Sequence, residues 1–258
     1  MEPLELLIVL AILAILAILA ILAILAILAI FFPQLSQSQL SQLCLNFYRD
    51  IYRKIIGYKM ILLGRSGSGK TTLYQALGMV TVQGILPKSN THPEPTKRVK
   101  LDIMVGQHQK KSQQVIFRAT VDVPGRSKVR WKKHIKGCDI IIYLINAYEL
   151  RSNQDSQDEE KVSNSQIQKD LEDIYNWTKD YKINIKIFIV GNHFDEICHD
   201  YDQGNNYQKY LEEFKKLIKP CSSQDKDYRQ LATDIIIGSL KEGKDMLAMM
   251  GRVISNLK

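Results

Sequence analysis

The chain contains little cysteine and tryptophan, and none of its first 48 residues is a lysine or an arginine. Its four cysteines do not have the spacing of metal ligands, so we expect free thiols in a reducing compartment. They are Cys44, Cys138, Cys198 and Cys221. No aromatic and basic RNA-binding motif is present, so the net charge of +8 favours an anionic lipid surface over specific nucleic-acid contact.

The segment 4–32 is almost wholly alanine, isoleucine and leucine, with no charge after Glu5. A helix of roughly 29 residues would be about 43 Å long, enough to cross a hydrocarbon core of ~30 Å with tilt. The Ala-Ile-Leu triplet leaves no polar face, which favours lipid on every side. The lack of basic residues before it and of a cleavage site after it argues against a signal peptide. We predict a transmembrane helix at 4–32, with a buried core helix as the alternative.

The first basic residues, beginning with Arg49, follow this segment. The positive-inside rule therefore predicts that the rest of the chain is cytosolic. We assign 33–57 to a juxtamembrane linker, in which Leu43–Ile56 has helical spacing, and 58–258 to a nucleotide-binding domain.

An apolar run ending at Leu63 is followed by a G-x-x-x-x-G-K-T sequence and a helical pattern. Such a loop wraps backbone N–H groups around a phosphate chain and points a helix N-terminus at it. Lys70 is expected to reach the β- and γ-phosphates, and Thr71 to bind Mg²⁺. The predicted phosphate-binding residues are Gly64, Arg65, Ser66, Gly67, Ser68, Gly69, Lys70, Thr71 and Thr72.

Apolar runs alternate with helical patterns beyond this loop, which predicts a parallel sheet covered by helices on both faces. The predicted strands are 59–63, 115–123, 139–146, 185–191 and 234–238. The predicted helices are 71–79, 127–136, 165–181, 207–218 and 244–257. The segments 90–100 and 151–164 are expected to be irregular.

Three further motifs follow predicted strands and indicate guanine rather than adenine. The sequence Asp122-Val123-Pro124-Gly125 has the D-x-x-G pattern, whose Asp binds Mg²⁺ and whose Gly N–H meets the γ-phosphate. In Asn192-His193-Phe194-Asp195, a form of N-K-x-D, Asp195 would accept hydrogen bonds from two guanine donors that adenine lacks. The sequence Ser239-Leu240-Lys241 would offer a backbone N–H to guanine O6.

These motifs, in this order, resemble those of small GTPases over residue 59 to the C-terminus. Asp122 to Arg130, with the strand 139–146 after it, is most similar to the Arf/Sar branch. With an N-terminal span, the chain resembles β subunits of the signal recognition particle receptor. The resemblance implies a P-loop small GTPase fold of the α/β class, with a mostly parallel sheet flanked by helices and preceded by one transmembrane helix.

The same resemblance implies GTP and Mg²⁺ as cofactors and the receptor α subunit as partner. It further implies one pass through the endoplasmic reticulum membrane, and a role in co-translational targeting. Thr96 resembles the switch I threonine that would bind Mg²⁺ beside Thr71 and Asp122, and Thr91 is the alternative.

Two residues depart from the GTPase pattern. Arg126 occupies the position of the glutamine that orients the attacking water, so we expect slow hydrolysis and leave open whether the chain is an enzyme. His193 replaces the lysine of N-K-x-D, at some expected cost in affinity. The alternatives are a GTPase of vesicle traffic and a GTP-bound scaffold without turnover. An ATP-driven transporter subunit ranks last, because the chain has no L-S-G-G-Q-type sequence.

Overall fold

The computed structural model describes residues 15, 19, 20, 23, 37–79, 99–105, 111–122, 128–152, 164–180, 185–197, 206–219, 232–241 and 243–257. The chain divides into two compact units, Met1–Tyr52 and Arg53–Lys258. Apart from four helical residues, the predicted span at 4–32 lies outside the described residues. No helix within the described ranges is long and apolar enough to cross a membrane.

Helix α1 spans Gln37–Ile56 and occupies most of the predicted linker. It begins at Gln37 rather than Leu43, because the intervening glutamine, serine and leucine residues contain no helix breaker. The predicted domain limits at 32 and 57 stay a prediction.

A six-stranded sheet forms the centre of the second unit, in the order β2-β3-β1-β4-β5-β6. Strand β2 is antiparallel to β3, and the remaining neighbours pair in parallel, which confirms the mostly parallel α/β fold. The strands are β1 Tyr58–Gly64, β2 Val99–Val105, β3 Lys111–Asp122, β4 Ile140–Asn146, β5 Lys186–Asn192 and β6 Asp234–Ile237.

Strand β2 corrects the prediction that 90–100 is irregular, since residues 99 and 100 belong to it. In sequence, its apolar residues alternate at Val99, Leu101 and Ile103. Runs of consecutive apolar residues are the signal of the central parallel strands, so the search for such runs missed β2.

The five predicted helices are confirmed to within two residues at either end. They are α2 Lys70–Met79, α3 Lys128–Ile135, α5 Asn164–Asp180, α7 Tyr207–Leu217 and α8 Gly243–Ser255. Two short helices, α4 Ala147–Ser152 and α6 Phe194–Ile197, were not predicted, because four to six residues are too few to show a helical period.

Both faces of the sheet are buried. Alternate residues of β1, including Ile61 and Leu63, pack with α3, α4, α5 and α7. The other residues of β1, Met60 and Leu62, pack with α2 and α8 on the opposite face. This two-sided burial explains the continuous apolar runs, and it leaves the carboxyl ends of the parallel strands as the edge where polar loops converge.

Candidate nucleotide site

The predicted phosphate loop connects β1 to α2. Gly64 ends the strand with φ +142°, and a Cβ there would collide with the carbonyl oxygen of Leu144. Lys70, only 7% exposed, donates from Nζ to the backbone oxygen of Arg65 at 2.7 Å. The lysine therefore lies against the loop, at the N-terminus of α2, where an anion is favoured.

The second motif contacts this loop directly. Asn192, at the end of β5 and 1% exposed, donates from Nδ2 to the backbone oxygen of Ser68 at 3.2 Å. Gly69 has φ +92°, and a Cβ on it would collide with the Asn192 amide nitrogen and lie 3.0 Å from Leu240 Cδ1. Segments that are far apart in sequence thus meet at Gly69, and only glycine fits there without displacement.

The third motif lies beside the second. The backbone N–H of Gly238 donates to Gly191 at 2.9 Å, which continues the pairing of β5 with β6. The Ser239 hydroxyl accepts a bond from the backbone N–H of Lys241 at 3.1 Å. Lys241 Nζ is 3.9 Å from Asp195 Oδ2, and this carboxylate is 25% exposed. The three segments therefore form one continuous surface along the sheet edge.

His193, between Asn192 and Asp195, has an unusual backbone conformation. Its φ is +67°, which a residue with a Cβ rarely adopts. Its Nδ1 lies 2.9 Å from Glu196 Oε1, and its backbone oxygen accepts from the Glu196 N–H at 3.2 Å. These contacts hold the turn that carries Asp195 into the first turn of α6.

The polar atoms of the site fit a polar ligand. Among the described residues, the buried atoms Ser68 Oγ, Asn192 Oδ1 and His193 Nε2 have no hydrogen-bond partner. A buried polar atom without a partner is costly. Ser68 belongs to the predicted phosphate loop, and Asn192 and His193 belong to the segment that contacts it, so a polar ligand bound there could supply the missing partners.

The predicted Mg²⁺ residues are described only in part. Thr71 is exposed on the first turn of α2. Asp122 ends β3 and is paired in register with Leu62 of β1. Its backbone therefore lies near the carboxyl end of β1, where the predicted phosphate loop begins. Thr96, its alternative Thr91, Gly125 and Arg126 lie outside the described residues, together with Val123 and Pro124.

Asn146, which ends β4, is a contact of the loop that was not predicted from the sequence. Its Nδ2 donates to the Gly67 backbone oxygen at 3.4 Å, and its Oδ1 accepts from the Glu149 N–H at 3.0 Å, which caps α4. The sequence signal for Asn146 was its position as a polar residue at the end of a long apolar run.

Asp170 of α5, which is fully buried, is a second contact of the loop that was not predicted. It accepts two bonds from Arg65 of the phosphate loop, at 2.8 and 2.9 Å. The hydrogen bond to Asp170 is the main cause that raises the pKa of Arg65. An acidic residue on the same helix face as Ile167 and Ile174 was the sequence signal.

Comparison with protein families gives one match. A family model described as an AAA domain matches residues 60–246, more than half of the chain. The matched range includes the phosphate loop, Asn192, Asp195 and Ser239 to Lys241. No curated protein sequence matches the chain.

Two solved structures show distant similarity. The mammalian signal recognition particle (SRP) receptor is 13% identical with a TM-score of 0.41, over 76% of this chain and 99% of that chain. A GTP-binding protein from the hyperthermophilic archaeon Sulfolobus solfataricus, in complex with GDP, is 17% identical with a TM-score of 0.41, over 84% of this chain. The match spans 58% of the archaeal protein's length.

Proposed function

We propose that this chain, which belongs to the AAA domain family through residues 60–246, binds GTP with Mg²⁺ and is anchored in a membrane. The observation that supports the nucleotide proposal most is the hydrogen bond from Asn192 Nδ2 to the Ser68 backbone oxygen at 3.2 Å. It joins the segment that carries Asp195 to the segment that would hold the phosphates.

At the phosphate end, the backbone N–H groups of the loop, the N-terminus of α2 and Lys70 would bind the β- and γ-phosphates. Thr71, Asp122 and Thr96 are the proposed Mg²⁺ residues. The ion, when bound, would neutralise charge on the phosphate oxygens. A phosphate chain lying along Gly67 to Lys70 would reach the surface formed with Asn192.

At the base end, Asp195 would accept hydrogen bonds from guanine N1–H and the exocyclic amine. Adenine offers neither donor, so it would leave the carboxylate without partners. The turn at Ser239, held by its bond from the Lys241 N–H, would present a backbone N–H to guanine O6. The AAA family name makes ATP the second candidate ligand, and the base-selective role of Asp195 is what separates the two.

The test is the substitution Asp195→Asn. An asparagine offers an N–H donor where aspartate has only acceptors, so the variant should pair with the 2-oxo group of xanthine. We expect GTP affinity to fall at least about hundredfold and xanthosine triphosphate affinity to rise above it, measured by equilibrium binding. Glu212→Gln, the same chemical change at an exposed residue of α7, is the control and should leave the preference for GTP intact. An Asp195→Asn protein that still prefers GTP contradicts the assignment.

We propose membrane anchoring through residues 4–32, with the nucleotide site in the cytosol. Support comes from the uncharged Ala/Ile/Leu sequence and from the basic residues that follow it. The protein should stay with endoplasmic reticulum membranes after alkaline extraction, and external protease should digest the nucleotide domain in sealed microsomes. Release by alkali, or residence in another membrane, contradicts this part of the proposal.

We also propose the role of a tether that holds an SRP receptor α subunit at the membrane, supported by the sequence resemblance. The GTP-bound protein should retain that subunit in mild detergent, and the GDP-bound protein should release it. Equal retention with both nucleotides refutes a GTP-dependent tether. GTP that copurifies unhydrolysed would favour the scaffold alternative, and stimulated fast turnover on Golgi membranes would favour vesicle traffic.

A further inference from the structure

A buried carboxylate connects three parts of the fold near the phosphate loop. Asp170 Oδ2 accepts from Arg65 Nε at 2.8 Å and from the Tyr143 hydroxyl at 2.9 Å. Its Oδ1 accepts from a second Arg65 nitrogen at 2.9 Å and lies 3.0 Å from Lys128 Nζ. Asp170 thereby binds the loop after β1, the middle of β4 and the start of α3.

The bond to Arg65 fixes the part of the loop that holds the phosphate-binding lysine. Arg65 directly follows Gly64, and its backbone oxygen accepts the Lys70 ammonium at 2.7 Å. A bidentate bond restrains an arginine side chain far more than a single bond does. The position of Lys70 therefore depends, through Arg65, on a carboxylate in α5.

The bond to Lys128 extends this connection to α3. Lys128 begins α3, a short distance along the chain from the D-x-x-G segment that starts at Asp122. Its ammonium also bonds Asp173. Burial lowers the pKa of Lys128, but the bonds to Asp173 and Asp170 outweigh burial and raise it, so the lysine stays charged. Asp170 therefore binds two cations, one in the predicted phosphate loop and one at the start of α3.

We propose that Asp170 is a positioning residue for the phosphate loop, which acts by holding Arg65 and Lys128 together and so couples the loop to the helix that follows the D-x-x-G segment. The inference rests on the proposed function only in that the loop binds a nucleoside triphosphate. It does not depend on which base is bound.

The experiment compares Arg65→Lys, Arg65→Met and Asp170→Asn in the full-length protein in detergent. Arg65→Lys keeps the charge but loses the bidentate bond, and we expect it to weaken GTP binding roughly tenfold. Arg65→Met should weaken it further. The double variant that combines Arg65→Met with Asp170→Asn should bind GTP as tightly as the single variant with the lower GTP affinity. The losses should not add, because both substitutions remove the same connection. Lys215→Met, which breaks an exposed pair with Glu212, is the matched control and should bind like the wild type.

Base selectivity separates positioning from general damage. The ratio of GTP to inosine triphosphate affinity should stay constant in the Arg65 and Asp170 variants, because the base end keeps its contacts. Unchanged GTP affinity in both Arg65 variants, additive losses, or a ratio that changes with the affinity would overturn the inference. If Asp170→Asn does not fold, the two Arg65 variants decide. A wild type that binds ATP instead of GTP refutes the proposed base preference, and the same series run with ATP still tests the positioning role. Binding of neither nucleotide overturns both proposals.

Discussion

Gly69→Ala tests whether the phosphate loop, Asn192 and Leu240 meet as tightly as the structure has them. An alanine at φ +92° lowers the free energy of unfolding by about 1–2 kcal/mol through its strained backbone. Its Cβ would also lie 3.0 Å from Leu240 Cδ1 and overlap the Asn192 amide. Asn192 must then move away from Ser68 and lose a buried hydrogen bond, at a further cost of about 1–3 kcal/mol.

Gly137→Ala is the matched control. Gly137 also has a positive φ, +74°, but no atom of the described residues lies within 4 Å of the Cβ that would be added. Its substitution should therefore cost only the conformational part, about 1–2 kcal/mol. The difference between the two variants isolates the contact with Asn192 and Leu240.

The assay is urea unfolding of both variants and the wild type, with and without GTP. We expect Gly69→Ala to lose at least about 1 kcal/mol more unfolding free energy than Gly137→Ala, and to gain less protection from GTP. Equal losses for the two variants, with equal protection by GTP, would refute the close meeting of these segments.

Two further predictions concern titratable groups whose pKa is shifted by burial. Burial, followed by the charge of Asp139, raises the pKa of the Cys138 thiol to about 12, so a thiol reagent at pH 8 should label the partly exposed Cys44 and spare Cys138 until the protein unfolds. Equal labelling of both in the native protein, read by mass spectrometry, would contradict the burial of Cys138. Burial, with nearby Lys133 and Lys59, lowers the pKa of His134 below 6.5, so the unfolded chain takes up the proton first and stability should fall as the pH drops below 6.5. The substitution His134→Gln should remove the contribution of His134 to the stability loss between pH 7.5 and 5.5. An unchanged pH dependence of stability would contradict the lowered pKa of His134.

Local signals explain what the sequence could predict. The glycine spacing from Gly64 to Lys70 predicted the strand, loop and helix, because each residue's role depends on its immediate neighbours. The five helices predicted after β1 showed a helical period, and the central strands showed continuous apolar runs. Asn192 and Ser239 to Lys241 were expected near the phosphate loop because parallel strands bring their carboxyl ends to one edge.

Long-range contacts explain what was missed. The partner of Arg65, Asp170, is 105 residues away, and nothing beside either residue indicates the pair. Asn146 belongs to a strand that was predicted, but its bond to Gly67 depends on strand order. The edge strand β2 has alternating apolar residues rather than a continuous apolar run, and the helices α4 and α6 are too short to show a helical period.

The central claim is guanine selection by a site that joins the phosphate loop to Asp195. The most direct measurement is competition of GTP and ATP for the purified full-length protein with Mg²⁺ in mild detergent. We predict that GTP binds at least about a hundredfold more tightly than ATP. Equal affinity, or tighter binding of ATP, would contradict it.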